Sequence, residues 1–203
     1  MESLFTLGRH TLAGLRALLV LTLLVGVVYP LAITSVAQAA FDWRASGSLV
    51  TAEGGRTTSY DDAVGSALIG QASSGPEWFH PRPSAAGEGW DPLATAGSNL
   101  GPQNAELVAT IEERRAAVAA EEGVDPADVP ADALTASASG VDPHIAPAYA
   151  ALQVRRVARE NGLSESQVTD LVEEHTDGRT LGFLGEARVD VLALNSAVAA
   201  LRD

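Results

Sequence analysis

Residues Ala17 to Phe41 carry no charge, although Arg9 and Arg16 precede them and Asp42 and Arg44 follow. The first part of this stretch, Ala17 to Val28, is almost all Leu, Val, Ala and Gly. A helix of about 20 apolar residues crosses the ~30 Å of hydrocarbon in a bilayer. No other feature constrains the chain so strongly. It divides the sequence into a cytoplasmic tail at 1–10, a transmembrane helix at 11–36 and one large polar domain at 37–203.

Arg9, His10 and Arg16 lie on the short side of the span. Basic residues next to a span tend to remain in the cytoplasm, so the N-terminus is expected inside and the domain outside. Tyr29, Phe41 and Trp43 then fall near the outer interface, where amphipathic rings are favoured. Pro30 removes one backbone donor and predicts a kink that a neighbouring helix can cover. Gly26, four residues earlier, lets such a neighbour come close. The same residues also fit a cleaved signal peptide ending at Ala37-Gln38-Ala39. The apolar run continues past Pro30 through Ile33, longer than the ~7–15 residues of a signal core, which favours a retained anchor. Either way the same domain is exported.

The chain has 203 residues, which leaves a domain of roughly 160 residues, large enough to bury a core without staples. Cysteine is absent, so disulfides, thiolate metal sites and cysteine nucleophiles are excluded. All 13 basic side chains are Arg. Without Lys there is no Walker-type phosphate loop and no Schiff-base lysine. Net charge is −13, and from residue 37 onward 25 acidic residues face 11 basic ones, a balance of −14. Such a domain is soluble and repels nucleic acid and anionic lipid. Near a membrane mouth the same charge would attract cations.

The expected fold class is α+β: one N-terminal transmembrane helix, then a single extracytoplasmic domain, mainly helical with a few short strands. Residues 42–71 read as short strands, Ser66 to Gln71 among them. Residues 72–102 hold five of the ten prolines and five glycines, too broken for long elements. Trp78, Phe79 and Trp90 lie there, so this long loop is expected to be pinned to the core by its rings. Asn104 caps a helix that runs to Glu122 and stops at Gly123, with Leu107, Ile111 and Val118 on one face and a Glu112–Arg115 pair on its surface. Pro147 starts a second helix that Gly162 ends. Ser164 and Gln167 have capping-box spacing for a third, whose stripe is Val168, Leu171, Val172 and His175. A last helix covers Asp190 to Leu201, with Val191, Leu194, Val198 and Leu201 facing inward.

The densest group of chemically capable residues is Thr135 to His144, which contains Ser137, Ser139, Gly140, Asp142 and His144. A triad needs nucleophile, base and acid to converge in space, and neighbours on an extended loop point apart. There is also no Gly-x-Ser-x-Gly elbow. No catalytic residue is therefore assigned. Asp142 is read as a turn former accepting backbone N–H groups, with His144 donating to a carbonyl near the next helix. Gly97 to Pro102 leads into a helix N-terminus, where anions can bind, though such segments also just form turns. His80, His144 and His175 lack any paired metal-ligand spacing, so no metal is assigned. His175 is accounted for by the helix dipole. Residues 147–176 have a helix-turn-helix outline with Arg155, Arg156 and Arg159, yet the acidic, exported domain is unsuited to nucleic acid.

Four strings follow the span in order: Pro81-Arg82-Pro83-Ser84-Ala85, Gly97 to Pro102, Thr135 to His144, and Gly178-Arg179-Thr180-Leu181-Gly182-Phe183-Leu184-Gly185-Glu186. Together they resemble the C subunit of the Kdp potassium-transporting P-type ATPase, over nearly the whole chain. Pro81 and Ala138 stand where that family usually has Gly, and Ala187 where it has Pro; all three shape backbone. The resemblance implies an accessory subunit in the cell membrane. Its partners would be a channel-like potassium-binding subunit, a P-type subunit that hydrolyses ATP, and membrane lipid. The chain itself lacks the Asp-Lys-Thr-Gly-Thr phosphorylation sequence, so it is expected not to be an enzyme. No cofactor is assigned, ATP and K+ being handled by the complex. The resemblance further implies a catalytic chaperone that raises the ATP affinity of the hydrolysing subunit. Ser137, Ser139, Gly140 and Gln153 match the family region tied to nucleotide. ATP is cytoplasmic, whereas the charge pattern places these residues outside, so the effect is expected to be indirect. The alternative is an anchored or secreted enzyme or binding domain using Ser137, Ser139, Asp142 and His144.

Overall fold

Pro30 has no N–H to give, and the first helix accommodates this with one wide turn. The computed structural model describes residues 2–202. Helix α1 (Glu2–Leu23) runs into a π-helical turn at Leu24–Val28, then into α2 (Tyr29–Ala40), which has Pro30 in its first turn. The Tyr29 N–H reaches back to the Leu24 carbonyl across that turn. The expected disturbance at Pro30 is thus a bulge one turn before it. The stretch Ser3–Ala40 is 38 residues long, about 57 Å at 1.5 Å per residue, and is apolar enough to cross a membrane. Among the described residues, its apolar window is 0% buried. A Cβ added at Gly26 would meet only Thr22 Cγ2, at 3.8 Å, so its bare surface is open to a neighbour. A short α3 (Asp42–Ala45) ends this unit, which comprises Met1–Gly47; Ser48–Asp203 form the second.

In the second unit β1 (Leu49–Val50) pairs antiparallel with β2 (Gly65–Ser66). The strand expected over Ser66 to Gln71 is therefore only its first residue. The chain turns away at once, because Gly70 crosses the loop from Thr135 to His144 and donates its N–H to the Val141 carbonyl at 2.8 Å. Helix α4 (Ala105–Glu122) starts and stops as expected. The Asn104 side chain accepts from the Glu106 and Leu107 amides, and Gly123 is left-handed at φ 68°. The Glu112–Arg115 pair forms at 3.5 Å. A 3-10 turn (Pro126–Asp128) and α5 (Ala131–Leu134) follow. Then come β3 (His144–Ile145), α6 (Pro147–Asn161), α7 (Glu165–Glu174), β4 (Thr176–Asp177), β5 (Arg188–Asp190) and α8 (Val191–Ala200).

Strands β3, β5 and β4 form an antiparallel sheet in that order. Helices α6, α7 and α8 close the core with it, around Ile145, Val157, Val168, Val189, Leu194 and Val198. Ser164 and Gln167 form the reciprocal capping box at the start of α7. Asp190 caps α8 by accepting from the Ala193 amide. Leu201 departs from expectation: it lies beyond the last turn of α8 and is exposed.

Candidate functional site

Helix α6 buries polar side chains on a face that also carries Tyr149, Ala150, Val154 and Val157. Gln153 is fully buried and Arg156 is 2% exposed. Arg156 therefore does not belong to a basic surface with Arg155 and Arg159, as the sequence outline suggested. Its Nε donates to Glu122 Oε1 of α4 at 2.9 Å. One terminal nitrogen donates to the Pro76 and Trp78 carbonyls, at 2.6 and 2.9 Å, and the other to Gln153 Oε1 at 2.8 Å. The remaining Glu122 oxygen, Oε2, is buried with no hydrogen-bond partner. Burial raises the Glu122 carboxyl above its ordinary range, against the opposing pull of Arg156.

Gln153 has both ends of its amide engaged. Oε1 also accepts from the His80 amide at 2.7 Å, and Nε2 donates to the His80 carbonyl at 3.2 Å. Asn195 of α8 treats Phe79 in the same way: Oδ1 accepts from its amide at 2.8 Å and Nδ2 donates to its carbonyl at 3.0 Å. Asn161 Nδ2 donates to the Glu77 carbonyl at 2.8 Å. Residues 75–84 thus form a strap whose backbone groups are met one after another by side chains of α6 and α8. This supplies hydrogen bonds that an irregular buried segment cannot make to itself. Phe79 is wholly buried in the core and Trp78 packs beside it, as expected of rings in this loop. Trp90 is not in that core; its amide donates to Ser84 Oγ at 2.7 Å.

The strap continues into the loop from Thr135 to His144. Arg82 donates to Asp142 Oδ2 at 3.4 Å and to the Thr135 carbonyl at 3.3 Å. Ser84 Oγ donates to the Gly140 carbonyl at 2.6 Å. Gly140 has φ 71°, and a Cβ there would lie 2.7 Å from both Ala86 Cβ and the Ala96 carbonyl oxygen. Only Gly fits this close crossing. Ser137 is buried and its Oγ accepts from the Gly140 amide at 2.9 Å, while the Ser139 hydroxyl, exposed, accepts from the Val141 amide at 3.2 Å. Both serines act as turn formers.

Asp142 also shapes the turn, as expected: Oδ1 accepts from the His144 amide at 3.0 Å. The His144 ring differs from expectation. Its Nδ1 faces Asp142 Oδ1 at 3.4 Å instead of a carbonyl near α6, because the carboxylate folds back over its own turn. His144 is the main cause of a lowered Asp142 pKa, with partial burial opposing and Arg82 assisting. Neither Ser137 nor Ser139 hydrogen-bonds the His144 ring, so the loop holds no nucleophile–base pair. His175 caps the end of α7, with Nδ1 2.8 Å from the Leu171 carbonyl.

Sequence reasoning named Ser137, Ser139, Gly140, Asp142, His144 and Gln153; the structure links the loop residues and Gln153 through the strap. It missed Arg156, Glu122 and Asn195. A signal existed for Arg156, a charged residue on the apolar face of an amphipathic helix. A cleft of about 430 Å³ lies between the strap and α8, with Ile69, Gln71, Trp78, Leu192 and Asn195 in its wall.

Fold and cluster define a polar α+β domain, held together by buried side-chain-to-backbone bonds and preceded by one membrane-length helix. The family described as KdpC, K+-transporting ATPase, c chain, matches residues 11–200. A potassium-transporting ATPase KdpC subunit of Kineococcus radiotolerans is 53% identical, covering 97% of this chain and 96% of the relative. One from Koribacter versatilis is 46% identical over 92% of each. One from Mycobacterium tuberculosis is 48% identical, over 94% of this chain and 97% of its own length. The chain belongs to the KdpC family, the c chains of the K+-transporting ATPase.

Proposed function

We propose that this chain is the accessory subunit of an ATP-driven potassium uptake pump, needed for its assembly and for full ATP affinity of its hydrolysing subunit. The family match carries this reading. The partners are a channel-like potassium-binding subunit and a P-type ATP-hydrolysing subunit. The span at 11–36 lies in the cell membrane, the tail at 1–10 inside and the domain outside, supported by Arg9 and Arg16 beside the apolar run. Gly26 and the bulge before Pro30 present an uncovered helix face to a membrane subunit.

The chain has no catalytic role of its own. Its nucleotide effect is indirect. Gln153 is wholly buried and its amide is spent on His80 and Arg156, which supports a structural part. Ser137, Ser139 and Gly140 act with it by fixing the strap and the loop that crosses it. The domain surface so shaped contacts particular pump conformations more than others, and that difference shifts ATP affinity.

Pump membranes with and without this chain test the reading. Without it, potassium-stimulated ATP hydrolysis should fall at least about tenfold, or the ATP KM should rise by that factor, a coupling of about 1.4 kcal/mol. The purified chain alone should not hydrolyse ATP. A pump that assembles and turns over normally without the chain would sink the proposal, as would hydrolysis by the chain alone.

A further inference from the structure

Strands β4 and β5 are joined by residues 178–187, which project as a shaped finger. Its root is the antiparallel register Thr176↔Val189 and Asp177↔Arg188, and Val189 is fully buried. Within the finger, Thr180 and Leu184 exchange both backbone hydrogen bonds at 2.9 Å, and the Gly182 amide donates to the Arg179 carbonyl at 3.0 Å. Gly182 and Gly185 have φ 81° and 75°. Leu181 has φ 55°, a conformation that strains a bulky side chain.

This defined backbone holds its apolar side chains outward. Leu181 is 79% exposed, Phe183 68% and Leu184 49%. A single exposed apolar side chain such as Leu93 is ordinary, but three held together on a strained tip mark a contact surface. The charges at the root are already matched: Arg188 meets Asp177 at 3.1 Å and Arg179 meets Glu186 at 3.8 Å. Glu173 and Glu174 add two negative charges at the end of α7, beside the root.

These features select one occupant. A second copy of this domain, also near −14, would be repelled, and so would an anionic bilayer surface. A fluid bilayer has no fixed shape to reward a strained, preorganised tip, whereas a protein pocket does. We propose that the finger docks into an uncharged apolar socket with basic residues at its rim, on the outer surface of another subunit of the same pump. This rests on the subunit role and the outward topology proposed above.

The test uses the full chain in pump-containing membranes, with the photoreactive residue p-benzoylphenylalanine at position 183. After irradiation, the adduct is identified by mass spectrometry; the same residue at position 93 is the control. An adduct with another pump subunit from position 183, and none from 93, is expected. In parallel, Phe183→Ser should keep the melting temperature of the chain yet weaken its binding to a pump lacking it by about tenfold or more, as for a buried anchor. If the chain still co-purifies with the pump but position 183 labels only lipid, only a second copy, or nothing, the finger inference is overturned and the subunit role stands. Undiminished binding of the Phe183→Ser chain overturns it equally. If the chain never co-purifies with the pump, both readings fall.

Discussion

Residues 75–84 and residues 178–187 are both irregular and both held in one shape, yet they face opposite ways. The strap turns its rings and backbone groups inward, where Arg156, Gln153, Asn161 and Asn195 meet them. The finger satisfies its own backbone across Thr180 and Leu184 and turns Leu181 and Phe183 outward. Hydrogen-bond demand is met within the chain in both. Apolar burial is met only in the strap. A loop that fixes its backbone but leaves its apolar side chains in water is prepared for something other than its own fold.

The largest expected effect breaks the strap. Arg156→Ala should destabilise the chain by about 3–5 kcal/mol, since it strands the Glu122 carboxylate and two strap carbonyls in the interior. Chemical denaturation of the purified chain measures it. A loss below about 1 kcal/mol would mean that the strap is held by Phe79 and its neighbours alone.

A smaller effect tests the junction of strap and loop. Asp142→Ala should cost roughly 0.5–2 kcal/mol near neutral pH, like the loss of a capping carboxylate. The folded Asp142 pKa lies below its ordinary 3.8, with His144 as the main cause. Its contribution is therefore complete above 3.8 and is lost as pH falls through the folded value. The gap between native and variant stability should close in that acidic window. A gap that widened toward acid would show that Asp142 carries its proton in the fold.

The smallest effect on stability falls on the finger. Leu181→Gly removes a strained left-handed residue but adds backbone freedom to the unfolded chain, so the two terms nearly cancel. Stability should stay level or rise by less than about 1 kcal/mol. Potassium-stimulated turnover of the assembled pump should nevertheless drop. A variant that lost stability and kept turnover would reverse the contrast between the two loops.

Local signals in the sequence located the elements well. Asn104 and Gly123 bound α4, Pro147 and Gly162 bound α6, and Ser164 with Gln167 opens α7, because caps act within four residues of where they stand. The candidate loop was legible as a turn through Asp142 and Pro143. Its crossing partners Ala86 and Ser84 were not, because proximity across a fold leaves no local pattern. The stretch Ser66 to Gln71 was misread as strand because apolar residues there serve a turn toward Val141 instead of a ladder.

Local composition determined the membrane-length helix, since a long apolar run is costly to place anywhere but in apolar surroundings. The sequence also set the acidic character of the domain, the ends of its main helices, and, through four ordered strings, its family. Which polar residues are interior, and which apolar ones are not, depends on long-range packing. Gln153 and Arg156 look like surface residues of a helix until Pro76, Trp78 and His80 are brought to them from more than 70 residues away. Leu181 and Phe183 look like core residues until the β4–β5 register fixes the finger clear of the core. Burial depends on what the rest of the chain places nearby, and a side chain's own polarity does not specify that.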